Sequence, residues 1–190
     1  MPHELLFMNS ITLAFDKKLI FENLTYKLDS GENLLVTGAN GSGKTSLVKI
    51  LVGELEASKG SHQVSNYVYL PASPINPGFR KVEEYFQLFG SVKKRESEFC
   101  EIVLSRIKGK SMSRLSSGEF KSAAIARIFS IDRAVYILDE PTVTLDEFVI
   151  EAFMEEMKIL NNFGCSFVIA TNNIGDFSKI NYRELVLKKD

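Results

Sequence analysis

The chain has 190 residues, 45% of them hydrophobic and 25% charged, a length and mix that suit one soluble globular domain with a sizeable core. A formal net charge of −1 gives no bulk attraction to nucleic acid, so no nucleic-acid partner is expected. The start, Met1-Pro2-His3-Glu4, lacks the charged and apolar regions of a secretion signal, and no apolar run approaches the roughly 20 residues of a membrane span.

A cytoplasmic location is therefore expected, with Cys100 and Cys165 as buried thiols in a reducing compartment. Residues 5–15 read as a strand, and Asp16-Lys17-Lys18 as the turn into a second strand over 19–28. Leu34-Leu35-Val36-Thr37 is a short apolar run of the kind buried on both faces of a sheet. Gly38-Ala39-Asn40-Gly41-Ser42-Gly43-Lys44-Thr45 follows and fits G-x-x-x-x-G-K-[ST] between a predicted strand and a predicted helix. Glycines there let successive backbone N–H groups face a phosphate, and the helix opening at Lys44, Thr45 and Ser46 adds its partial positive charge. Lys44 would reach the β- and γ-phosphates, and the Thr45 hydroxyl would ligate Mg²⁺. Alone, this loop leaves kinases, GTPases and several ATPase families open.

Leu47, Ile50, Leu51 and Leu55 share one face of the helix that follows. Residues 64–70 read as a strand ended by Pro71. From 72 to 114 the composition shifts, with Pro74, Pro77 and Gly78 marking a loop before two polar helices, over 82–89 and 96–107. A basic cluster, Lys93-Lys94-Arg95 with Lys108, Lys110 and Arg114, reads either as a solvated face or as a surface for an anionic leaflet or a partner's loops. Another helix begins near Ser117, with Phe120, Ala123, Ala124 and Ile128 on one face. Val135-Tyr136-Ile137-Leu138-Asp139-Glu140 is a buried strand ending in two carboxylates, at the end of the sheet where ligands bind in such folds. Asp139 would hold Mg²⁺ and Glu140 would orient and deprotonate the attacking water. Val149, Ala152, Phe153, Met157 and Leu160 form the stripe of the next helix, closed by Gly164. Residues 166–170 are a further buried strand and 184–187 the last. This alternation argues for an α/β fold with a mainly parallel sheet.

Leu115-Ser116-Ser117-Gly118-Glu119 resembles the LSGGQ signature of ATP-binding cassette (ABC) ATPases, with Ser117 for the first glycine and Glu119 for the glutamine. Ala124-Ile125-Ala126-Arg127, Asp139-Glu140-Pro141-Thr142 and Val143-Thr144-Leu145-Asp146 resemble that family's continuation, its carboxylate motif and its D-loop. The resemblance runs in order from Phe15 to near Leu187. It implies one domain over 1–190: a P-loop NTPase core of ABC type over 1–71 and 115–190, with a small antiparallel β-subdomain, and a shortened helical subdomain over 72–114. It also implies ATP and Mg²⁺, and a dimer with a second copy or another cassette. In that dimer ATP lies between the phosphate loop of one copy and residues 115–119 of the other, where Ser116 and the Gly118 amide would meet the γ-phosphate. Asp146 would join the nucleotide site from the D-loop. Phe15 sits where the family carries an aromatic ring against adenine, plain core packing being the other reading.

Two family residues are missing. Asn172 stands where a histidine usually contacts the γ-phosphate, and the last histidine in the chain is His62. Ala72, in Tyr69-Leu70-Pro71-Ala72, stands where the family carries its Q-loop glutamine; Gln87, the nearest substitute, reads as a helix surface residue. Asn172 can donate a hydrogen bond but cannot take up a proton near neutral pH, so binding is expected intact and hydrolysis slow. The resemblance implies the ATP-hydrolysing subunit of an ABC transporter, peripheral on the cytosolic face beside a separate membrane-spanning partner. The alternative is a nucleotide-gated dimerising regulator that scarcely turns over.

Overall fold

A long antiparallel hairpin, β1 (Glu4–Phe15) and β2 (Lys18–Asp29), opens the computed structural model, which describes residues 4–16, 18–75, 81–87 and 97–188. A further strand, β4 (Lys59–Val64), pairs antiparallel with the other edge of β1, giving a small sheet of order β2-β1-β4. The second sheet is parallel. It holds β3 (Asn33–Thr37), β5 (Tyr67–Leu70), β6 (Val135–Asp139), β7 (Ser166–Ala170) and β8 (Arg183–Val186) in the order β5-β6-β7-β3-β8. Every residue of β3, β6 and β7 is buried, as their unbroken apolar runs require of strands covered on both faces.

The helices are α1 (Lys44–Leu51), α2 (Val82–Gln87), α3 (Glu98–Ile107), α4 (Ser117–Phe129) and α5 (Glu147–Asn162). The parallel sheet divides two cores. Tyr136 and Leu138 of β6, with Leu35, Phe167 and Ile169, pack into a core shared with α3, α4 and α5. Val135 and Ile137, with Leu34, Val36, Val168 and Ala170, pack into the other, shared with α1 and β1. Polar caps set the helix starts. Ser97 accepts from the Cys100 N–H at 3.1 Å, and Asp146 accepts from the Val149 N–H at 3.0 Å.

Several expectations change. The strand expected over 64–70 is two strands, broken at Ser65-Asn66, where Asn66 lies at φ 38°. The helix bearing Leu47 stops at Leu51, with Val52 as its C-cap, so Leu55 is not helical although it still packs on the second core. Cys165 is buried, but Cys100 is only half-buried, its thiol donating to the Ala126 carbonyl at 3.2 Å. Of the helix expected over 82–89, the last two residues lie outside the described ones, as do Lys93, Lys94 and Arg95 of the basic cluster. No helix among the described residues is long and apolar enough to cross a membrane.

Candidate functional site

Three neighbouring strands of the parallel sheet deliver three loops to one edge. β3 ends at Thr37 and passes into the phosphate loop, β6 ends at Asp139 and passes into Glu140, and β7, which lies between them, passes into Thr171 and Asn172. Backbone bonds carry the ladder past the strand ends. The Glu140 N–H donates to Ala170 at 2.8 Å, Thr171 to Val36 at 3.0 Å, and Leu187 to Thr37 at 2.8 Å. The strand ends that carry these loops are thus tied to one another.

The phosphate loop packs closely. A Cβ on Gly38 would stand 2.2 Å from the Leu187 carbonyl oxygen, and Gly38 has φ 139°, so no side chain fits there. Ala39, Asn40 and Gly41 are exposed at the loop's crest, and Gly43 precedes α1, whose first residues are Lys44, Thr45 and Ser46. Lys44 is buried, its ammonium donating back to the carbonyls of Gly38 at 2.8 Å and Ala39 at 3.3 Å. Ser42 is buried with its hydroxyl unpartnered among the described residues.

Asp139 is 1% exposed, and neither carboxylate oxygen has a hydrogen-bond partner among the described residues. Burial pushes its carboxyl above the ordinary aspartate range, opposed by the nearby Thr45 hydroxyl and by the Lys121, Lys44 and Lys49 charges. A buried, orphaned carboxylate beside a hydroxyl is costly in isolation and suits a hard divalent cation. The Thr142 hydroxyl is likewise buried without a partner among the described residues. Asp139 and the Thr45 hydroxyl are a sparse, all-oxygen donor pair of the kind Mg²⁺ uses alongside phosphate oxygens. Asp139 and Thr45 therefore fit Mg²⁺ as its protein ligands. Tyr69, at the neighbouring strand end, has its phenol pushed up to about 12, first by burial and then by the Asp139 and Glu54 charges.

Glu140 is half-buried at φ 45°, a left-handed conformation that turns the chain directly after β6. Its carboxylate accepts from the Asn172 N–H at 3.4 Å, and the Asn172 carboxamide donates to Asn40 Oδ1 at 2.7 Å. Asn172 thus bridges the base candidate and the phosphate loop, a connection invisible in the sequence. Phe15 is 48% exposed at the end of β1, which removes the core-packing reading and leaves a ring open to solvent.

Residues 115–119 form a second, separate surface. Leu115 packs against the first core, and Ser116 and Glu119 cap α4 reciprocally: the Ser116 hydroxyl accepts from the Glu119 N–H at 3.2 Å, and the Ser116 N–H donates to Glu119 at 2.9 Å. Lys110 pairs with the other Glu119 oxygen at 2.6 Å, and this bond and the Ser116 N–H hold the Glu119 carboxyl below its ordinary range. Ser116, Ser117, Gly118 and Asp146 line a cavity of about 240 Å³ between α3, α4 and α5. Asp146, besides capping α5, pairs with Arg106 at 2.7 Å, whose guanidinium lies over the Phe148 ring at 4.8 Å. Asp146 is held below its ordinary range first by the Val149 N–H and then by Arg106.

Gly118 opens α4 against the 143–146 loop, and a Cβ there would stand 2.4 Å from the Thr144 carbonyl oxygen. Gly118→Ala is expected to overpack this contact at a cost of about 1–3 kcal/mol. Thermal unfolding should register that as a melting temperature lower by about 2–4 °C for each kcal/mol. An unchanged melting temperature would mean that the 143–146 loop yields freely.

The sequence did not single out Lys121. It is 4% exposed on α4 and donates to the Ala72 carbonyl. Burial pushes its ammonium below the ordinary lysine range, against the raising charges of Asp139 and Glu140. The Ala72 position thus contributes a backbone oxygen rather than a side chain. Gln87 ends α2, and the exposure expected of its side chain lies outside the described residues.

A family model described as "ABC transporter" matches residues 21–143. The chain is 26% identical to the "Zinc import ATP-binding protein ZnuC" of Ehrlichia ruminantium (strain Gardel), over 96% of this chain and 79% of that protein. It is 30% identical to the "Cytochrome c biogenesis ATP-binding export protein CcmA" of Reclinomonas americana, over 77% of this chain and 75% of that one. Among solved structures, "Structure of ATP binding subunit of ABC transporter" superposes with a TM-score of 0.83 at 20% identity, covering 97% of this chain and 88% of that chain, a likeness of fold.

Proposed function

The chain belongs to the ABC transporter family, and from that premise we propose that it is a transporter's ATP-binding and ATP-hydrolysing subunit, paired with a second cassette around two MgATP. Its membrane-spanning partner would be a separate chain, and its place the cytosolic face. The observation that carries the reading is the joint presentation of Lys44, the orphaned Asp139 carboxylate and Glu140 at one sheet edge.

In this reading the loop over 38–45 wraps the phosphates with backbone N–H groups, and Lys44 leaves the Gly38 and Ala39 carbonyls for phosphate oxygens. Thr45 and Asp139 would hold Mg²⁺, which would supply charge neutralisation to the phosphates. Glu140 accepts the proton of the attacking water, and Asn172 donates to the γ-phosphate without taking part in proton transfer. Phe15 offers its exposed ring to adenine. The partner cassette's nucleotide meets Ser116, Ser117 and the Gly118 amide, with Leu115 anchoring that turn, Glu119 neutralised by Lys110, and Asp146 close by. Turnover is slow because no histidine backs the γ-phosphate.

Lys44→Ala is expected to weaken MgATP binding about tenfold or more. A charge-assisted phosphate contact is worth about 1.5–3 kcal/mol, which is about 10–150-fold in affinity. Calorimetric titration tests this, and unchanged affinity would refute the phosphate-loop assignment.

A further inference from the structure

Lys121 lies just inside the start of α4, almost fully buried, a place lysines seldom occupy unless paired. Its one hydrogen-bond partner among the described residues is a neutral group, the Ala72 carbonyl. A carbonyl satisfies a donor but does not cancel a charge, so the balance must come through space. The register of the sheet supplies it. β5 runs parallel to β6 with Leu70 opposite Leu138, which brings Pro71-Ala72 out at the same sheet end as Asp139-Glu140. Both carboxylates act electrostatically on Lys121, and Lys121 on Asp139.

Of the other ammonium groups acting on Asp139, that of Lys49 stands on an exposed position of α1, and that of Lys44 rests on carbonyls of the phosphate loop and is committed to phosphate once nucleotide binds. Lys121 is tethered outside that loop and keeps its place. We propose that Lys121 is a fixed cation that balances the Asp139–Glu140 pair and weakens its hold on a free divalent cation, so that the metal is retained only when it arrives on nucleotide. The inference rests on Asp139 being the metal ligand. Phosphate charge outweighs one ammonium, so MgATP is accepted where the bare ion is not.

The probe is Mn²⁺, titrated into the nucleotide-free full chain and followed by the paramagnetic resonance of the free ion. Lys121→Gln keeps a donor for Ala72 and removes the charge. It should bind Mn²⁺ about tenfold tighter or more than the unmodified protein, while Lys121→Arg stays within about twofold of it. Lys121→Met should move the same way, which serves if the glutamine variant does not fold. Combining Lys121→Gln with Asp139→Asn should erase the gain. Equal or weaker Mn²⁺ binding in the neutral variants would overturn the proposal. Tight binding that survives Asp139→Asn would instead sink the assignment of Asp139 as ligand, and the proposal with it. Hydrolysis does not enter the readout, so a protein that scarcely turns over ATP reports equally well.

Discussion

Glu140→Gln should lower ATP turnover by about 10²–10⁴-fold while leaving MgATP binding in place. The substitution is nearly isosteric. The backbone turn at φ 45° is held by the Glu140 N–H on Ala170, and the amide oxygen of glutamine can still accept from the Asn172 N–H. What disappears is the capacity to take a proton from water. Nucleotide should then accumulate unhydrolysed, and a dimer closed around ATP should become visible by light scattering. The decisive measurement is phosphate release at saturating MgATP. A variant that matches the unmodified protein would remove Glu140 from the chemistry.

Asn172→His should move the rate the other way. The carboxamide is already aimed into the site, donating to Asn40 Oδ1 on one side while its own backbone N–H reaches Glu140 on the other. An imidazole there can keep a hydrogen bond to the loop and also stabilise charge developing on the γ-phosphate. Such groups contribute about 10²–10⁴-fold in full, and asparagine supplies part, so kcat should rise about tenfold or more. KM should hardly change, because the contact matters mainly in the transition state. If the histidine variant stays at the level of Glu140→Gln, the chain is better described as a nucleotide-gated regulator. If the unmodified protein is already as fast as Asn172→His, asparagine is a full substitute and the expectation of slow turnover is wrong.

The strand–loop–helix setting of residues 38–45 and the strand-end position of Asp139 and Glu140 were legible in the sequence, because a motif of fixed spacing and a carboxylate pair are framed there by apolar runs that only a doubly covered sheet explains. β4 was not legible. Lys59-Gly60-Ser61-His62-Gln63 is polar and exposed, and it becomes a strand through backbone pairing with β1 rather than through any side-chain period. The contact between Asn40 and Asn172 was hidden for another reason. Each residue stood in a recognisable stretch, but their meeting depends on β7 lying between β6 and β3. Lys121 was hidden most completely. A lysine after Phe120 in a helix reads as surface, whereas in the fold it is buried and reaches the Ala72 carbonyl beyond β5. Glu119 stands in the sequence as a plain substitution in the signature stretch, whereas the structure makes it half of a capping box and the partner of Lys110.

The parallel sheet hands alternate side chains of β3, β6 and β7 to two different cores. Sliding one of these strands by a single residue would exchange the occupants of both cores at once, so the loops at the sheet edge have no gentle path out of alignment. Damage to this protein by heat should accordingly be a matter of headcount. A half-inactivated sample is half intact molecules and half unfolded ones, and the surviving activity is a census of the intact rather than a measure of how sluggish each copy has become.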